Sequence, residues 1–192
     1  MHILEIVKEG WAAKIISEVE RIAGPVRIRK RPWWVLPIIP IRFTITLWGT
    51  INWSPLRLQY SRESYCLPTL CHELEHRVAF AEHPVLWPLG YLLPQLLAVT
   101  CFLGILWTPL WFLALFLLPW PAYFRAKFEI RGYATSEFVK DKLGLYGGSV
   151  PTKAFTGVAY YFMWPFKKKV EQWLKNTKGK TKVCRIANEL LQ

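Results

Sequence analysis

Ile3, Ile6, Val7, Ala13, Ile16, Val19 and Ile22 recur at helical spacing with charged residues between them, and Gly24-Pro25 stops the run. The pattern predicts an amphipathic helix over residues 3–22. From Val26 to Tyr60 the period changes: Val26-Arg27-Ile28-Arg29 alternates, and so does Ile41-Arg42-Phe43-Thr44-Ile45-Thr46-Leu47-Trp48, in a stretch cut by prolines. A small, twisted, mostly antiparallel sheet is expected there. Helical spacing returns over residues 67–81, with Pro68 near the first turn. Residues 84–124 then contain no Asp, Glu, Lys or Arg, although Pro84, Pro88, Pro94, Pro109, Pro119 and Pro121 punctuate them. About 20 apolar residues cross a bilayer as a helix, so this stretch predicts a hairpin of two short spans turning near Gly104 to Pro109. The prolines predict kinked or partly re-entrant helices.

After Arg125 a charged helix is expected as far as Leu143, ended by Gly144 and Gly147-Gly148. Phe155 to Leu174 follows as an amphipathic segment, with Tyr160, Tyr161, Phe162, Trp164 and Phe166 ahead of Lys167-Lys168-Lys169, a pattern suited to a membrane-surface helix. The tail from Lys175 is basic and expected to be mobile, apart from an apolar run at Ile186 to Leu191.

Composition sharpens this picture. Hydrophobic residues make up 53% of the 192 and charged residues 20%, with 11 Trp, which excludes a disordered chain and favours a membrane component. The formal net charge of +12 suits nucleic acid or an anionic lipid face. Its division among segments that flank apolar surfaces favours lipid, and no nucleic-acid-binding motif appears. Arg27, Arg29, Lys30 and Arg31 beside Trp33 and Trp34 read either as an interfacial belt or as a solvated strand face. Cys66, Cys71, Cys101 and Cys184 form no CxxC pair and read as reduced thiols. Charges interrupt the first 22 residues, so no secretory signal peptide is expected.

The chemistry centres on His72-Glu73-Leu74-Glu75-His76, an HExxH motif. Residues i and i+4 share a helix face, so two imidazoles can reach one metal, while Glu73 lies beside that face as a general base for water. Zinc needs a third protein ligand and an open fourth position. Ala79 and Glu82 stand where the metzincin pattern would place Gly and His, and an unbroken helix carries Glu82 and His83 about 9–10 Å beyond His76. Glu129, on the helix that begins as the charge-free stretch ends, is the better candidate. Tyr133, one turn further, could face the site as an oxyanion donor or an orienting group. Gly132 costs a helix interior about 1 kcal/mol against Ala, which is more easily accommodated if another helix crosses closely there. A two-span hairpin would return Glu129 to the level of His72 and His76, whereas a single span would separate them by about 30 Å. Positive charge at Arg77 before the stretch and Arg125, Lys127 and Arg131 after it places both ends in the cytoplasm.

HExxH, a hydrophobic hairpin and then Arg125-x-x-x-Glu129-x-x-Gly132-Tyr133 resembles the membrane-associated gluzincin metallopeptidases. The layout is that of the CAAX-prenyl-protease and HtpX type; the compactness is that of small uncharacterised HExxH proteins of bacteria and phages. The resemblance covers about residues 60–140. It implies one zinc ion on His72, His76 and Glu129, with Glu73 as base. It departs at Tyr133, where the HtpX type carries a carboxylate, and in that type's N-terminal membrane spans. Site-two proteases fit less well, because Arg62, Glu63, Arg77 and Glu82 surround this motif and an Asp-Gly partner motif is missing.

The expectation is therefore an α+β fold, a zincin-like small antiparallel sheet with active-site helices around a central hydrophobic hairpin. Residues 1–83 hold the amphipathic helix, sheet and HExxH helix, 84–124 the hairpin, and 125–192 the third-ligand helix, surface helix and tail, with the two flanking parts forming one catalytic domain. The expected function is a membrane-anchored zinc peptidase at an anionic cytoplasmic leaflet, cleaving a peptide or protein substrate, with Ile41 to Trp48 as an edge to which substrate adds. The alternative is a non-enzymatic membrane-inserting or scaffolding protein with a vestigial or structural metal site.

Overall fold

Helix α1 (Gly10–Ala23) turns Ala12, Ile15, Val19 and Ala23 inward; of the apolar positions that predict the helix, Val19 is buried, Ala13 and Ile16 are half-buried and Ile22 is exposed. Gly24 ends it at φ 75°, a left-handed conformation that side chains with a Cβ avoid, and its N–H donates to the Glu20 carbonyl at 2.9 Å. The computed structural model describes residues 10–31, 44–47, 49–54, 63–91, 112, 123–145, 152–157, 164 and 166–191. The expected first turns of α1, at residues 3–9, lie outside them.

Three short strands follow: β1 (Arg27–Lys30), β2 (Ile45–Leu47) and β3 (Thr50–Trp53), in the order β1-β3-β2. β3 pairs in parallel with β1, Arg27 opposite Thr50, and antiparallel with β2, Ile45 opposite Asn52. Ile51 and Trp53 are fully buried. They face the long helix α2 (Glu63–Glu82), which carries HExxH and starts five residues ahead of Pro68. A helical turn at residues 86–91 comes next, then α3 (Tyr123–Lys142), α4 (Thr152–Thr156), α5 (Lys167–Thr177) and α6 (Lys182–Leu190).

The core has two parts. Leu67, Leu70, Leu74 and Val78 of α2 pack with α1, β3, Val139 of α3, and Val183 and Ala187 of α6; each such side chain contributes about 1.5–3 kcal/mol by leaving water. On the far side of α3, Ala126, Ile130 and Ala134 meet Phe155 of α4 and Val170 and Leu174 of α5. α3 is thus sandwiched, which holds it firmly against α2 along its length.

The structure corrects the expected fold class in three respects. Helix makes up 73% of the described residues, beside a small three-stranded sheet. The sheet is mixed rather than antiparallel, since β1 joins β3 in parallel. Among the described residues no helix is long and apolar enough to cross a membrane, so the central membrane hairpin is not supported. Residues 92–111 and 113–122 of that stretch lie outside the described residues. At its described ends Trp87 is fully buried, and a Cβ on Gly90 would touch the Phe124 side chain, so these two ends lie side by side.

Of the aromatic segment Phe155 to Leu174, the ends belong to α4 and α5, with Trp164 packed on Trp173, while Tyr160, Tyr161 and Phe162 lie outside the described residues. The tail expected to be mobile is ordered as α6, capped by Thr181, whose hydroxyl accepts from the Cys184 N–H at 3.2 Å. Cys66, Cys71 and Cys184 are buried free thiols; Cys101 lies outside the described residues.

Candidate metal centre

HExxH occupies the middle of α2, where both histidines and both glutamates are turned inward: Glu73 is 4% exposed, Glu75 0% and His76 3%. Buried polar groups are rarely left in a helix without a task. His72 Nε2 and His76 Nε2 stand 3.1 Å apart. Glu129, from the buried side of α3, brings Oε2 to 3.5 Å from His72 Nε2 and 3.9 Å from His76 Nε2. The three ligand atoms lie within 4.8 Å of one another, so the group could hold a metal ion. Tetrahedral coordination with bonds of about 2.0–2.1 Å separates ligand atoms by about 3.3 Å, close to the spacings seen. Glu129 Oε2 is buried with no hydrogen-bond partner among the described residues, which fits an oxygen able to ligate a cation.

The protonation states suit ligation. Burial holds His76 neutral, its pKa lowered to about 3. Burial pushes the Glu129 carboxyl up, but the facing imidazoles His72 and His76 and the Arg125 charge outweigh it and bring its pKa to about 2. Both groups therefore present lone pairs at neutral pH without first losing a proton.

Gly132 makes the approach of α3 possible. A Cβ there would sit 2.8 Å from His72 Cε1 and Nε2, so the imidazole lies directly on the α3 backbone. Tyr133 also meets the ring edge to face, centroids 4.7 Å apart, and is itself backed by Phe155 at 5.4 Å. Of its two expected roles, this contact favours orienting His72. Glu73 is fixed from the sheet: the Thr46 hydroxyl of β2 donates to its Oε2 at 2.8 Å. Glu82 and His83, set aside as ligands, stay out of the cluster, Glu82 pairing with Arg131 and Lys182.

Several partners carry no local signature. Tyr91 donates a short hydrogen bond from its hydroxyl to Glu129 Oε1, and its ring stacks on Trp87 at 4.9 Å. Burial raises the phenol pKa well above its usual value, which keeps that donor protonated. Arg131 binds Glu75 Oε1 through Nη2 at 2.6 Å and Nε at 2.9 Å, and Val183 N–H approaches Glu75 Oε2 at 3.3 Å. The spacing Trp87-x-x-x-Tyr91 was the one available hint, an aromatic pair at i, i+4 just past the motif.

The cations from which a cytoplasmic side is expected are engaged by protein. Arg77 Nε reaches the Pro25 carbonyl at 3.4 Å, Arg125 lies 5.1 Å from the Tyr91 ring centre, Lys127 4.4 Å from that of Trp173, and Arg131 binds Glu75.

Comparison with protein families, with curated proteins and with solved structures finds no match to this chain, so the meaning of the cluster rests on its own chemistry.

Proposed function

We propose that the chain is a zinc-dependent hydrolase that cleaves peptide bonds. The observation that carries this reading is the convergence of His72, His76 and Glu129 with a separately anchored carboxylate, Glu73, on the residue beside the first ligand. Two imidazoles and one carboxylate form a donor set typical of catalytic zinc, which leaves a coordination position open. Zinc, when bound, supplies Lewis acidity that acidifies water and polarises a carbonyl.

Glu73 takes the proton of the attacking water and passes it to the departing amine. The Thr46 hydrogen bond holds this carboxylate in one orientation. Tyr133 steadies His72 or donates to the oxyanion. β2 is an edge strand among the described strands and carries Thr46 beside Glu73, so an extended peptide pairing with it would pass the base. That placement is what favours a peptide over other acyl substrates.

For location, we propose contact with an anionic bilayer surface. Val85, Leu86, Leu89 and Phe124 are 50–66% exposed at the two ends of the charge-free stretch. Aromatic contacts from Phe124 through Tyr123 and Trp164 to Phe166 continue this surface to Lys167-Lys168-Lys169.

The test pairs zinc content with cleavage of an unstructured protein substrate. Glu73→Gln should retain zinc while hydrolysis falls about 10²–10⁴-fold. A Glu73→Gln protein that cleaves as fast as wild type contradicts the assignment.

A further inference from the structure

Glu129 has two carboxylate oxygens in different circumstances. Oε1 accepts the Tyr91 hydroxyl, whereas Oε2 faces both imidazoles with no hydrogen-bond partner among the described residues. A free carboxylate can rotate about its terminal torsion, present either oxygen, or offer both to a cation. The phenol is the group in contact with the other oxygen, Oε1.

We propose that Tyr91 is a positioning residue for Glu129, holding Oε1 by its hydroxyl so that Oε2 alone is presented to the cation site of His72 and His76. The inference rests on the metal-centre reading and adds to it a residue outside the HExxH motif and outside α3. Tyr91 is fitted for this because its ring cannot drift. It stacks on Trp87 with an interplanar angle of 14°, stands edge-on to His76 at 5.9 Å, and has the Arg125 guanidinium 5.1 Å from its centroid. Trp87 is in turn edge-on to His76 at 6.2 Å and to Phe80 at 5.9 Å. The aromatic turn at residues 86–91 thus ties the third ligand to the second. A carboxylate that binds through one oxygen leaves room for water and substrate, whereas one that binds through both occupies the open position.

The test uses the full-length chain, stripped of metal and titrated with Zn²⁺ and then with Co²⁺, whose visible spectrum reports coordination number. Tyr91→Phe keeps the ring and removes only the hydroxyl; Tyr91→His restores a donor. The expected result is a loss of zinc affinity of about 10–100-fold in Tyr91→Phe, a cobalt spectrum shifted toward higher coordination, and partial recovery of both in Tyr91→His. The melting temperature of the metal-free chain should change little. Unchanged affinity and spectrum in Tyr91→Phe would overturn the assignment, and so would an affinity loss matched by collapse of metal-free stability, which is the mark of plain packing. Failure of the wild-type chain to bind either metal is a separate result, one that removes the metal centre itself.

Discussion

Gly132 is the residue at which packing and chemistry meet. Its missing side chain lets the His72 ring rest on the α3 backbone, and a Cβ at that point would lie 2.8 Å from two ring atoms. Alanine would return about 1 kcal/mol of helix propensity but overpack the crossing at a cost of about 1–3 kcal/mol. His72, also in contact with the Tyr133 ring and with His76, has little room to yield. Gly132→Ala should therefore be no more stable than wild type in thermal melts and should bind zinc at least ten-fold more weakly by titration. A more stable variant of unchanged affinity would show that the close crossing has no bearing on the site. The glycine was legible in the sequence as an expense that a close helix crossing would justify. Which residue occupied the space was not, because that depends on the angle at which α2 and α3 cross.

At the scale of elements, α2, α3 and α6 are joined by one chain of charges. Glu75 and Glu82 of α2 flank Arg131 of α3, and Lys182 of α6 binds Glu82 at 2.9 Å. Burial pushes the Glu82 carboxyl up, but Lys182 and Arg131 overcome this and hold its pKa below the usual value. Its folded pKa is thus below the unfolded one of about 4.3, so its contribution is present above that pH and lost as pH falls through the folded value. Glu82→Gln should cost about 0.5–1 kcal/mol at pH 7 and progressively less as the pH is lowered below the unfolded value, as read by urea unfolding. A difference that is constant or reversed with pH would remove the ion pairs as its cause.

The elements themselves were unequally legible. The stop of α1 at Gly24, the HExxH helix and the helix bearing Glu129 follow from local spacing and punctuation. α6 was hidden by its lysines, although Thr181 supplied a capping signal. The parallel pairing of β1 with β3 is a long-range choice that neither strand records locally. Arg131 looked like a surface cation because its partners lie 49 and 56 residues away.

For the whole molecule, the charge-free stretch reads in two ways at its described ends. Absence of charge is shared by lipid-facing and core-facing residues, and Trp87 and Tyr91 show the second use: one fully buried, the other bonded to Glu129. Exposed Val85, Leu86, Leu89 and Phe124 remain beside the site. With a net charge of +12, the chain should float with vesicles containing anionic lipid and far less with neutral ones. Leu86→Asp combined with Leu89→Asp should reduce that binding at least ten-fold without changing zinc content. Equal recovery with both vesicle types would count against the surface. The centre itself is tested most directly by elemental analysis of the chain purified without chelator, with His72→Ala and Glu129→Ala alongside. The account predicts one zinc per wild-type chain, none in His72→Ala and a substoichiometric amount in Glu129→Ala. Wild-type chain without bound metal, or full zinc in both variants, would contradict it.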